Sequence, residues 1–124
     1  MITIDTIKTT LTNQTYIALT GDNDIVTQNA IDRAVVWLEI MTKNCNVNID
    51  YDNEKIELIL LTQTIYELYQ IDEFEKLAID KKEDALTLLK AFFGNCINLD
   101  KVIPSVSIVI PKTNLSYADI YNKL

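Results

Sequence analysis

The chain has 124 residues, 48% of them hydrophobic, which is enough for one domain with a real core and too little for two. Eighteen acidic against eleven basic residues leave a net charge of −7, and without a Lys/Arg cluster such a chain is poorly suited to gripping phosphate backbones. It has no histidine, which removes Ser-His-Asp and Cys-His catalysis and nearly every zinc site.

Two Gly and two Pro are few for this length and favour long uninterrupted elements. Residues 3–20 read as a short helix followed by a second helical turn or two. Ile4, Ile7 and Leu11 share one face, and Tyr16, Ile17 and Leu19 follow the polar break at Thr12, Asn13 and Gln14. Gly21, Asp22, Asn23 and Asp24 form a turn. Their oxygens raise a calcium reading, but a calcium loop of the EF-hand type needs ligands over about twelve positions ending in a bidentate Glu, and this run is too short.

A second helix is predicted from 25 or 27 to 43, with Asp24 or Thr27 as N-cap. Its apolar stripe is Ala30, Ile31, Ala34, Val35, Leu38 and Met41, with Trp37 beside it as a core or subunit-interface residue. Residues 44–53 form a polar connector in which Val47 and Ile49 are the aliphatic anchors, and Asp52 or Asn53 caps the next helix. That helix, Glu54–Ile71, is the centre of the chain. Ile56, Ile59, Leu60, Leu61, Ile65, Leu68 and Tyr69 cover more than half its circumference, so it needs neighbours on several sides.

Asp72 and Glu75 form a capping-box variant that opens a further helix over 73–93. Phe74, Leu77, Ala78, Ala85, Leu88, Leu89 and Phe92 are its apolar positions, and the run Lys81, Lys82, Glu83, Asp84 is read as its solvated face. Gly94 and Asn95 end it. The tail changes character, because 102–111 alternates polar and β-branched residues between Pro104 and Pro111 and reads as an extended arm. Val106, Ile108 and Ile110 would then meet a neighbouring subunit, and Tyr117, Ile120, Tyr121 and Leu124 form a terminal amphipathic turn that needs a docking partner. The expected organisation is an all-α bundle of about four helices over 1–100, with a β-prone arm over 101–124.

Cys45 and Cys96 stand far apart with no C-x-x-C pattern, and we read them as separate buried or half-buried thiols. The N-terminal residues lack a basic region followed by an apolar core, and no apolar run reaches membrane-spanning length. These features together predict a protein kept in a reducing cytoplasm, with no catalytic, cofactor or metal site. Tyr66, Glu67 and Asp72 are near one another in sequence, but neither a nucleophile nor a metal cluster accompanies them.

Several stretches resemble small Mu-like prophage proteins, which are similar in turn to the head-tail connector (adaptor, or head completion) family of long-tailed phages. They are Leu19-Thr20-Gly21-Asp22-Asn23-Asp24 and Ala30-Ile31-Asp32-Arg33-Ala34, then Glu83-Asp84-Ala85-Leu86-Thr87-Leu88-Leu89 with Gly94, Ile97 and Leu99, and finally Ser116-Tyr117-Ala118-Asp119-Ile120. Between its second and third helices the family usually carries Tyr-Leu, then Arg-Tyr and prolines, where this chain has Met41-Thr42 and Cys45-Asn46-Val47. The resemblance implies a structural, non-enzymatic protein that assembles with itself into a ring between portal and tail or stopper proteins. It would work first in the host cytoplasm and then in the virion, with no membrane and no specific nucleic acid as partner. On this reading the candidate interface is Trp37, Tyr66, Tyr69, Val106, Ile108, Ile110, Tyr117, Ile120 and Tyr121. The alternative from a different class is a cytoplasmic helical interaction or regulatory module using the groove around Trp37, Tyr66 and Tyr69.

Overall fold

A computed structural model describes residues 1–71 and 75–97. These residues form five α-helices, namely α1 (Ile4–Thr10), α2 (Asn13–Thr20), α3 (Asp24–Met41), α4 (Glu54–Ile71) and α5 (Glu75–Phe93). Short 3-10 turns follow α3 and α5, at Lys43–Cys45 and Gly94–Cys96. No strand occurs among the described residues. The predicted arm, with Val106, Ile108, Ile110, Tyr117, Ile120 and Tyr121, lies outside them, as do Asp72 and Phe74.

The α4 helix is the hub, touching α1, α2, α3 and α5. Its bounds and its multi-sided apolarity match the sequence expectation, and Ile56, Ile59, Leu60 and Leu68 are all buried. Facing it, α3 contributes Ala30, Ile31, Ala34, Leu38 and Met41, and α5 contributes Ala78, Ala85 and Leu89. The small residues at 30, 34 and 85 are fully buried, so the helix axes can approach closely where they stand.

Threonine shapes much of the first twenty residues. Thr3 caps α1 in a reciprocal capping box with Thr6, and Thr12 caps α2, its hydroxyl accepting from the Thr15 N–H. The break predicted at residues 12–14 is thus a cap, and the region holds two helices. Buried Thr20 and Thr42 return their hydroxyls to the carbonyls four residues back, at 2.7 and 2.8 Å, which satisfies them at the C-terminal ends of α2 and α3.

The turn at 21–23 is present, with Gly21 and Asp22 both left-handed (φ 65° and 62°). Asn23, rather than Asp24 or Thr27, caps α3 by accepting from the Ile25 N–H. Thr27 is instead buried, and Asp24 is drawn into a side-chain network described below. Asn53 caps α4 as expected, accepting from Lys55 and Ile56 N–H. Gly94 leaves α5 at φ 75°.

Four apolar assignments fail, the first being Ile17, which is exposed on α2 while Tyr16 and Leu19 are buried. Val47 is exposed and leaves Ile49 and Tyr51 as the half-buried anchors of the connector. Leu77 and Phe92 are also exposed, because the buried stripe of α5 runs through Ala78, Ala85 and Leu89. A helical face is narrow, and residues one or two places off its centre turn toward solvent.

The largest correction concerns the cysteines, which are bonded to one another. Cys45 and Cys96 form a disulfide with Cα atoms 5.0 Å apart. The reason lies in the helix lengths. With 18 and 19 residues and a three-residue link, α4 and α5 return to the same end of the bundle, which brings Cys96 just after α5 to Cys45 in the connector that leads from α3 into α4.

Candidate functional site

Where α3, α4 and α5 meet, a polar cluster interrupts the core. Lys82 of α5 places its ammonium 4.8 Å from the ring centroid of Trp37 on α3 and 4.9 Å from that of Tyr66 on α4. Its Nζ is buried with no hydrogen-bond partner, so burial pushes its pKa down from 10.5 to about 8, against the opposing pull of Glu67. Lys82 was read from sequence as part of a solvated charged face. That reading is wrong, because Ala78, Lys82, Ala85 and Leu89 follow helical spacing and Lys82 falls on the buried stripe between two alanines.

Glu67 is nearly enclosed and is held from two sides. Arg33 Nε donates to it at 3.0 Å and Gln63 Nε2 at 3.1 Å. Trp37 Nε1 and Gln63 Oε1 are buried and unpartnered. The cluster thus comprises one held carboxylate, one guanidinium at the rim and one enclosed amine between two rings. Trp37 is a core residue with a cationic neighbour contributed by another helix, and Tyr66 and Tyr69 are half-buried on α4. Of the nine candidate interface residues, Trp37 and Tyr66 are brought together around Lys82, and the six in the arm are outside the described residues.

A second network joins the first three helices. The Tyr16 hydroxyl donates to Asp24 Oδ1 at 2.8 Å. Its one proton being committed there, it accepts from Thr27 Oγ1 at 2.6 Å. Lys8 Nζ sits 3.2 Å from the same Asp24 carboxylate and 5.5 Å from the Tyr16 ring centroid. The Tyr16 hydroxyl, backed by Lys8, holds the Asp24 carboxyl below its ordinary range, and burial raises the Tyr16 phenol. Asn23 and Asp24 therefore spend their oxygens on capping and on this network. No group of three or more His, Cys, Asp or Glu side chains suited to a metal occurs among the described residues.

No family model, curated protein or solved structure matches this chain.

At the disulfide end, an open groove of about 380 Å3 lies between the connector and the end of α5. Val47, Ile49 and Ile56 line one side and Phe92 and Phe93 the other, with Cys45 and Cys96 spanning it. Phe92 meets Phe93 edge-on, ring centroids 5.0 Å apart. The sequence reading missed this groove because it depends on the α4–α5 return. No described helix is long and apolar enough to cross a membrane.

Proposed function

We propose that this chain is a structural assembly subunit of the head-tail connector kind, building with copies of itself a ring that joins portal and tail. The reading rests first on an apolar surface that the described residues do not cover. Ile25, Val36 and Ile40 of α3 are 67%, 53% and 59% exposed, and at i, i+11 and i+15 they fall on one outward face of that helix. The opposite face of α3 is packed on α4. Three large aliphatics in a row on the solvent side cost solubility and are accounted for by a protein neighbour.

The resemblance in sequence supports the same reading from inside the bundle. Ala30 and Ala34 of the Ala-Ile-x-x-Ala stretch, and Ala85 and Leu89 of the helix ending at Gly94, are the residues fully buried where α3 and α5 meet the core. The shared motifs thus sit where they define the scaffold. A net charge of −7 fits a ring through which DNA passes without adhering.

The same α3 face also serves the second reading, a helical module that binds an unrelated partner protein. Co-sedimentation of the purified protein with the portal protein of the phage or prophage that encodes it separates the two. The connector reading expects the wild type to travel with portal, and Val36→Glu with Ile40→Glu to remain behind with unchanged helical circular dichroism. A wild type that never travels with portal contradicts it.

A further inference from the structure

We propose that the Cys45–Cys96 disulfide is a redox-operated clip that decides whether the groove between the connector and the end of α5 exists, while the helical bundle stands without it. Two features of the structure carry this. The segments it ties are held by little else, and the bond can be reached from solvent.

The connector over 42–53 contains one 3-10 turn, ended by a left-handed Asn46 at φ 53°. Val47 is 51% exposed. Beyond the disulfide, its ties to the bundle among the described residues are the half-buried Ile49 and Tyr51, the Thr42 back-bond, a hydrogen bond from the Tyr51 hydroxyl to Glu39 at 3.0 Å and a solvent-exposed ion pair from the Met1 amino group to Asp52 at 2.7 Å, of which the exposed pair adds little. On the other side, the turn Gly94–Cys96 packs on α5, with Ile97 buried after it. By contrast α4, which lies between these segments in the chain, is packed by four helices, and that packing does not pass through the clip. Segments with few buried contacts open locally at low cost, and packed helices do not.

Both cysteines are half-buried and stand in the wall of an open groove, so a dithiol can approach a sulfur in the way exchange requires. In the reaction, one thiolate of the dithiol attacks a sulfur and breaks the Cys45–Cys96 bond, forming a mixed disulfide. Its second thiolate then displaces the remaining cysteine. The dithiol ends as a disulfide, and its two electrons and two protons end on the Cys45 and Cys96 thiols. Once cut, the walls carrying Ile49 and Phe93 are no longer fixed to one another, and the groove opens.

The test is hydrogen exchange on the full chain, purified in air, with and without dithiothreitol. Before reduction, neither thiol reacts with iodoacetamide. After reduction, both do, and amides in 43–53 and 94–97 exchange about tenfold faster or more by local opening, while those inside α3 and α4 remain the slowest in the chain and quicken only as far as the loss of global stability requires. Helical circular dichroism stays constant, and removing the dithiol under air restores slow exchange. Cys45→Ser with Cys96→Ser shows the fast pattern from the outset and ignores dithiothreitol. The proposal is overturned if the thiols alkylate before reduction, if exchange at 43–53 and 94–97 is the same in both states, or if reduction abolishes the helical signal. Should the double variant not fold, the wild-type comparison still decides.

Discussion

Replacing Lys82 by Met should stabilise the protein at neutral pH. The ammonium is enclosed between Trp37 and Tyr66 with no hydrogen-bond acceptor, and its fall from 10.5 to about 8 corresponds to a penalty of about 3 kcal/mol for carrying that charge into the fold. The two rings return part of this, on the order of 1 kcal/mol, the pull of Glu67 being already contained in the shift. Methionine keeps the aliphatic stem and offers sulfur to the same rings, so Lys82→Met should gain about 2 kcal/mol, or roughly 8 °C in Tm for a chain of this size.

The pH dependence supplies a second arm. Lys82 has a lowered folded pKa, so between about 8 and 10.5 the unfolded chain binds more protons than the folded one, and wild-type stability rises with pH across that window. Below pH 8 the amine is charged in both states and the penalty is constant. Urea unfolding at pH 7 and pH 9.5 should therefore show the advantage of Lys82→Met shrinking at the higher pH. Tyr16 and Tyr51, whose phenols are raised, favour the folded state only while protonated and lose ground above pH 10, so 9.5 is a suitable upper point. A Lys82→Met protein less stable than wild type at pH 7, or an advantage independent of pH, would refute the burial argument.

Tyr16→Phe removes both hydroxyl contacts and leaves Thr27 buried without its acceptor, which should cost about 1–2 kcal/mol in urea unfolding; a neutral outcome would show that solvent satisfies Thr27. Loss of the Cys45–Cys96 bond, which spans 51 residues of sequence, should lower stability by about 4 kcal/mol on loop-closure grounds, measurable as a drop in urea midpoint on reduction. No drop would mean the reduced, unfolded chain keeps these ends close. Deleting 102–124 is expected to leave a cooperatively melting helical domain that does not assemble, and loss of helical circular dichroism in that protein would place the tail within the core.

The parts of the fold that were legible in the sequence are those set by long local periodicities. Glu54–Ile71 could be bounded because its apolar residues run without a Gly or Pro and Asn53 stands ready to cap it. The turn at Gly21 and the stop at Gly94 were legible because each needs positive φ, which glycine supplies cheaply. Lys82 was misread because four consecutive charged residues look solvated as a run, whereas burial is decided residue by residue, and the spacing Ala78, Lys82, Ala85 held the signal. The disulfide was missed for a different reason. Its geometry is made by the return of α5 along α4, and a separation of 51 residues carries no local trace of it. Trp37 has Arg33 one turn away on α3, but that guanidinium is drawn to Glu67, and the cation over the Trp37 ring is Lys82 of α5, which is again a tertiary event.

The central claim, that this bundle is a connector subunit, is tested most directly by electron microscopy of the full chain mixed with the portal ring of its own phage or prophage. The account predicts a second ring of helical density against the portal, with the α3 face bearing Val36 and Ile40 at a subunit contact. Portal rings that remain bare at saturating protein, under both oxidised and reduced conditions, would contradict it.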